Sequence, residues 1–284
     1  MINDLLNIDG IIQKALEEDI GPGDITTDSI IDPHAKGIAS LVSREKFILA
    51  GLPVFSMVFT LLDPDLEFEY MYHDGADVSS GDTICRISGR LAPMLKAERT
   101  ALNFIQRMSG IATLTSEYVA NSRPNRARIL DTRKTVPGLR SLDKYSVRMG
   151  GGFNHRSGLF DGILIKDNHI AAAGSIKDAV SLARLNAPHT LKVEVETETL
   201  SQVQEALDSG ADIILLDNMR IDILKQAVQM INRKVPVEVS GGVTLGNIRE
   251  IAETGVDFIS IGAITHSAKA VDLSLEIILK DKEQ

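Results

Sequence analysis

The chain has 284 residues, 44% of them hydrophobic, with 39 acidic against 30 basic side chains and a formal net charge of −9. That is the profile of an ordinary globular protein of one large or two modest domains, and its acidic balance argues against wholesale nucleic-acid binding. The single cysteine, Cys85, excludes an intramolecular disulfide and fits a reducing compartment, and no apolar run approaches the ~18 residues of a membrane span.

The N-terminal MINDLLNIDGIIQKALEEDI is acidic and amphipathic, unlike a signal or transit peptide, so the expected location is the cytoplasm. Leu5, Ile8, Ile11, Ile12 and Leu16 recur at helical spacing and predict a helix over 3–18, stopping before Gly21-Pro22-Gly23. From Gly37 to Gly89 the pattern turns to short β-like runs (GIASLVS, KFILAG, LEFEYMY, TICRISG) around one helical segment, PVFSMVFTLL. Ala92 to Val119 reads as helix again, interrupted at Gly110. HDGADVSSGDTICRISG has the hairpin rhythm of biotinyl and lipoyl carrier domains. A carrier needs a lysine at an exposed turn, and none lies between His73 and Gly89, so the segment reads as a β-rich packing layer.

From residue 127 the chain becomes regular. RARILDTRK, GILIKDN, TLKVEVE, DIILLDN, VPVEVSGG and DFISIGA are short apolar runs that end in polar or glycine positions, and amphipathic stretches follow most of them. Glu196, Asp217, Ser240 and Gly262 are separated by 21, 23 and 22 residues, the period of a βα unit. Nearly continuous apolar strands mean that both faces are covered, which a closed or nearly closed β/α barrel achieves. A doubly wound open sheet would show an early Gly-rich dinucleotide turn, and none appears.

A barrel gathers its strand ends at one mouth. Here these are Arg133 and Lys134, Lys166, Glu196, Asp217, Ser240-Gly241-Gly242 and Gly262: cations first, carboxylates next, glycines last. The cations belong to an island between Asp131 and Ile170 that holds seven Lys/Arg against four Asp, so it is positive within an acidic chain. The glycine turns suit a phosphate cradle, or are tight βα turns. Glu196 and Asp217 suit Mg²⁺ with its water shell, or ribose hydroxyls, or are solvated loop carboxylates. Arginine forks and lysine point charges in one mouth suggest a ligand with more than one carboxylate plus phosphates. His155 and His169 stand fourteen apart with no acidic or thiol partner at ligand spacing, which argues against zinc.

EDIGPGDIT (18–26), ERTALNFIQRMSGIAT (98–113), DTRKTVPGLR (131–140), GGGFNHRSGLFD (150–161), LIKDNHI (164–170), VEVE (193–196), LLDN (215–218), VSGG (239–242) and SIGAITH (260–266) together resemble the quinolinate phosphoribosyltransferase family, in order and over nearly the whole chain. The resemblance implies an α/β, type II phosphoribosyltransferase-like fold: an N-terminal α/β sandwich domain (1–112), an incomplete, seven-stranded β/α barrel (113–266), and a C-terminal helix (267–284) packing back on the first domain. It implies transfer of phosphoribose from phosphoribosyl pyrophosphate to quinolinate with loss of CO₂, giving nicotinate mononucleotide in NAD synthesis. Thr132, Arg133, His155, Arg156 and Lys166 match substrate-binding positions, and Lys134 one that bridges both substrates. Glu196 and Asp217 match Mg²⁺ and ribose carboxylates; Ser240, Gly241, Gly242, Gly262 and Ala263 match phosphate loops. Lys134, Glu196 and Asp217 are the implied catalytic residues. Arg99 matches an arginine supplied by the other subunit of a homodimer, which is a candidate for assembly into a higher oligomer. Rival readings of the same residues are a sister enzyme acting on another small acid, a Schiff-base aldolase using Lys166, and a metabolite-binding regulator.

Overall fold

The structure, a computed structural model, describes residues 8–279. One compact unit is formed by the described residues up to Leu114, by Val136–Gly151 and by those from Ser267 on; a second is formed by Thr115–Thr135 and Gly152–His266. In the first, α1 (Ile8–Ile20) buries Ile8, Ile12 and Leu16, the stripe that four-residue spacing puts on one face. Leu5 lies outside the described residues. Asp24 caps α2 (Ile25–Ile30), accepting from the Thr27 N–H at 3.0 Å. There follow β1 (Lys36–Ser43), β2 (Phe47–Ile48), α3 (Leu52–Leu62), β3 (Glu67–Tyr70), β4 (Asp77–Val78) and β5 (Thr83–Arg90). Phe47, Phe55, Phe59, Ile84 and Ile87 are buried in the core of this unit.

The next helix, α4 (Leu91–Ser122), runs unbroken through Gly110, where an interruption was expected. The glycine serves close approach instead. A Cβ there would meet the Lys269 carbonyl oxygen at 2.1 Å, and the cost of a helical glycine, about 1 kcal/mol, is tolerable within a long helix. Nearby, the Gln106 side chain donates to Leu273 O at 3.1 Å.

In chain order come β6 (Arg128–Leu130), α5 (Arg140–Met149), β7 (Ile163–Ile165), α6 (Asp167–Ala173), α7 (Ile176–Asn186), β8 (Val193–Thr197), α8 (Leu200–Asp208), β9 (Ile213–Asp217), α9 (Ile221–Ile231), β10 (Val237–Ser240), α10 (Ile248–Glu253), β11 (Phe258–Ser260) and α11 (Ala263–His266). The helix α5 belongs to the first unit. The second unit's sheet runs β6-β11-β10-β9-β8-β7, every pair parallel. It has six strands rather than the expected seven. The missing one is reduced to a bridge between Phe153 and Leu130. Just past it the chain is captured by a side chain: Asp131, fully buried, accepts from the His155 N–H at 2.9 Å and from Asn154 Nδ2 at 2.6 Å. No described pair joins β7 to β6, so the barrel is incomplete.

At the C-terminal end, β12 (Leu273–Leu279) is a strand, where the sequence reading expected helix. It pairs antiparallel with β1, making the first unit's sheet β12-β1-β5-β3. LSLEIIL alternates only in part, but it is rich in β-favouring residues and β1 offers it a free edge.

Candidate active site

Side chains alternate along a strand, so residues two apart share a face. In the second unit one set (Val195, Ile214, Leu216, Val239, Ile259) is buried. The other set lines a cavity of about 660 Å³ in two layers. Thr132, Lys166, Glu196, Asp217, Ser240 and Gly262 come from the strand ends, and Leu164, Leu215, Glu238 and Ser260 from one step below. The cavity is of the size and mixed character of a small-ligand site.

Arg133, Lys134, His155, Arg156, Gly241, Gly242 and Ala263 line the same cavity. Every strand-end residue singled out from the sequence is therefore brought together. Arg99 is not: it lies on α4 in the first unit and is not among the described residues lining the cavity. The basic island also divides. Arg140, Lys144 and Arg148 are on α5 and line no part of the cavity. In that unit buried Asp143 receives the Arg107 fork at 2.9 Å, and the Arg148 guanidinium lies over the Tyr145 ring.

Cation placement follows local backbone. The Lys134 N–H donates to Thr132 Oγ1 at 3.0 Å, and Lys134 O accepts from Thr265 Oγ1 at 2.8 Å, so the lysine is anchored at both peptide groups. Arg156 donates to Gly162 O at 2.9 Å. Burial, followed by the like charge of Arg133, lowers the Arg156 pKa, while Glu194 and Asp161 counter that effect. Lys166, at the N-terminus of α6, pairs with Glu196 across adjacent strand ends.

Asp217 accepts from the neighbouring Asn218 side chain at 2.6 Å. Glu196 and Asp217 are hard oxygen donors on a roomy cavity, the kind of set that binds Mg²⁺ together with substrate phosphates and water. They fit the ion by chemistry. The compact set of three potential ligating side chains found among the described residues lies lower, at His155, Glu194 and Glu238.

Both glycine turns are constrained. Gly241 and Gly242 have φ of +87° and +62°, and a Cβ on Gly241 would meet Asn218 Oδ1 at 2.2 Å. The turn continues as a loop held by Asn247, which accepts from the Thr244 N–H at 2.8 Å, and α10 starts only at Ile248. Gly241 and Gly242 therefore lead into a loop and do not open a helix directly. Gly262 does, immediately before α11. A Cβ at Gly262 would press on Lys134 Cδ at 3.0 Å and His266 Nε2 at 3.2 Å.

Sequence reasoning missed the floor. His155 does have acidic partners: its Nε2 lies 3.2 Å from Glu194 Oε2 and 3.5 Å from Glu238 Oε1. Both glutamates are buried. Burial, then the neighbouring Glu194 carboxylate, pushes Glu238 up to about 8, with His155 and the Ser260 hydroxyl opposing. The available signal was period two, because Glu194 precedes Glu196, and Glu238 precedes Ser240, by one step on the inward face. His266, Asn218 and Thr244 also line the cavity and were not singled out.

An incomplete parallel β/α barrel whose strand ends carry cations, two carboxylates and two glycine turns, one of them left-handed, defines a class: barrel enzymes for strongly anionic substrates. The model of the quinolinate phosphoribosyl transferase C-terminal domain matches residues 111–276, and that of the N-terminal domain residues 24–109. The chain belongs to the quinolinate phosphoribosyltransferase family. It is 45% identical to a probable nicotinate-nucleotide pyrophosphorylase [carboxylating] of Synechocystis over 95% of this chain and 92% of that protein. With its Bacillus subtilis counterpart it shares 42% identity over 98% of this chain and 96% of the relative. The crystal structure of NadC from Streptococcus pyogenes superposes with a TM-score of 0.94 at 42% identity, covering 98% of both chains.

Proposed function

We infer that this protein transfers the phosphoribosyl group of phosphoribosyl pyrophosphate to the ring nitrogen of quinolinate, releasing pyrophosphate and CO₂ and forming nicotinate mononucleotide for NAD synthesis. One observation carries the reading: Arg133, Lys134, Arg156 and Lys166 share a cavity with Glu196, Asp217 and two glycine turns, in a chain both of whose halves match the family.

In this reading Arg133, Arg156 and Lys166, with Thr132 and His155 beside them, take the two carboxylates of the pyridine and hold its nitrogen toward the sugar. Lys134 faces both anions and steadies the charge passing to the leaving pyrophosphate. Ser240, Gly241, Gly242, Gly262 and Ala263 receive phosphate through backbone N–H groups. Glu196 and Asp217 face the ribose hydroxyls and the oxocarbenium-like carbon, and would hold Mg²⁺, which when bound neutralises phosphate charge. Catalysis is positioning and electrostatics, with no covalent nucleophile. We further propose a cytoplasmic homodimer in which Arg99 of the partner subunit completes the pyridine pocket. No described helix is long and apolar enough to cross a membrane.

The test is an assay with quinolinate, phosphoribosyl pyrophosphate and Mg²⁺, following nicotinate mononucleotide and CO₂. Equimolar appearance of both, abolished by chelator and restored by Mg²⁺, supports the reading; turnover on another acid alone overturns it. For the shared site, inactive Arg99→Ala and Glu196→Ala proteins are mixed and re-dimerised. Partial recovery is expected, and proven heterodimers without activity refute the sharing.

A further inference from the structure

Two buried glutamates beneath a cavity meant for anions need an explanation, since an ionised carboxylate there would oppose the ligand's charge. Their contacts supply one. Glu194 comes from β8 and Glu238 from β10, and both converge on His155 Nε2, at 3.2 Å and 3.5 Å. On the other side of the ring, His155 Nδ1 accepts from the Arg156 backbone N–H at 2.7 Å. An accepting Nδ1 carries no proton, so the ring proton sits on Nε2 and points at the carboxylates. Both nitrogens are thereby engaged within the protein. The imidazole is a strut between the barrel floor and the peptide of the arginine that follows it.

The strut is braced at each end. Asp131 holds the His155 N–H and the Asn154 side chain, and Ser260 Oγ donates to Glu238. Arg156 itself reaches Gly162 O at 2.9 Å, closing the loop that carries it. Glu194 also opposes the like charge of Arg133 on Arg156. A second cavity below the floor is lined by His155, Arg156, Glu194 and Glu238 as well, so without the strut the loop would have space to sag into.

We propose that Glu194 and Glu238 are positioning residues, which hold His155 as its Nε2–H tautomer and through it fix Arg156 against the acceptor acid. This rests on the assignment of Arg156 to the pyridine carboxylates made above. It gives His155, which also lines the cavity, a part played through its neighbour: its ring orients the arginine.

Two measurements test it. The first is the ring ¹⁵N spectrum of the full-length protein at neutral pH, with His155 assigned by loss of its signals in His155→Asn. A protonated Nε2 with a bare Nδ1 is expected; a protonated Nδ1 with a bare Nε2, or averaging of both tautomers, overturns the proposal. This readout does not depend on turnover, so a failure of the reaction assignment, seen as inactive wild type, is distinguishable from a failure of the strut. The second is steady-state kinetics of Glu194→Ala and Glu194→Gln. Glu194→Ala should raise the KM for quinolinate about tenfold or more while the KM for phosphoribosyl pyrophosphate changes less than about twofold. Glu194→Gln keeps an oxygen acceptor and should recover much of the loss. A folded Glu194→Ala protein with unchanged quinolinate KM, or with both KM values raised equally, refutes the proposal. If Glu194→Ala does not fold, Glu194→Gln decides by the ¹⁵N spectrum: the same tautomer supports the strut and a switched one overturns it.

Discussion

Lys166 Nζ lies 2.5 Å from Glu196 Oε2, tying the end of β7 to the end of β8. In the proposed reaction these two groups serve different substrates, the lysine the pyridine acid and the glutamate the sugar and its ion. Substrate binding therefore exchanges this internal pair for two external ones. The lysine side chain is 43% exposed, so the pair contributes at most about 1 kcal/mol to stability. Lys166→Met should shift the melting temperature by no more than about 3 °C yet lower kcat/KM for quinolinate about 10²-fold. Calorimetry and kinetics on the same preparation check this; a large loss of stability with near-normal kinetics would reverse the assignment.

Lys134 is anchored through both of its peptide groups, and its side chain passes Gly262. The backbone that carries it is thus fixed, and in the proposed reaction its charge serves both anions. Lys134→Ala should fold normally and lose about 10²-fold or more in kcat, the scale of one preorganised donor. Near-wild-type turnover would remove Lys134 from the mechanism.

Gly241 combines a φ of +87° with a Cβ position 2.2 Å from Asn218 Oδ1 and 2.4 Å from Asn218 Cγ. An alanine there is strained by its backbone and clashes with a side chain that already holds Asp217. Gly241→Ala should raise the KM for phosphoribosyl pyrophosphate about tenfold or more and leave quinolinate binding, measured by calorimetric titration, little changed. Equal loss of both ligands would mean that the turn supports the whole cavity and not one substrate.

Nicotinate lacks one of quinolinate's two carboxylates. Arg133, Arg156 and Lys166 would then surround one anionic group fewer, and a buried charge left unpaired costs about 2–5 kcal/mol. Nicotinate should show at least ~10³-fold lower kcat/KM than quinolinate. Parallel assays with each acid decide it, and comparable values would mean that the cations serve the sugar phosphate alone.

Burial and the adjacent Glu194 raise Glu238 from an ordinary 4.5 to about 8. Between those values the unfolded chain releases the proton and the folded chain keeps it, so this group makes stability fall as pH rises, with its contribution complete below 4.5 and gone above about 8. Glu238→Gln removes the titration while keeping a neutral side chain of the same shape. The melting temperature of the variant should gain on that of wild type from pH 5 to pH 8, the window in which the group acts. A difference that stays constant across it would show that Glu238 is ionised throughout.

Local physics made much of this protein readable from its residues. The 21-, 23- and 22-residue steps from Glu196 to Gly262 announce repeated βα units, and a barrel places the ends of such units together wherever its helices lie. That is why the sequence alone assigns Arg133, Lys166, Glu196, Asp217 and Gly262 to one mouth. Tertiary packing decided the rest. Gly110 reads locally as a helix break, yet a carbonyl oxygen 159 residues further on, at Lys269, is what requires the missing Cβ. LSLEIIL became a strand because β1 had an edge to complete. The island's charges were divided because Arg140, Lys144 and Arg148 sit on a helix assigned to the other unit. Period two puts Glu194 and Glu238 on the inward face, but no repeat relates them to His155, whose meeting with both is a long-range contact. Periodicity encodes which face a side chain takes, because that depends on its own backbone; which distant residue it meets there depends on long-range packing, which only the folded chain supplies.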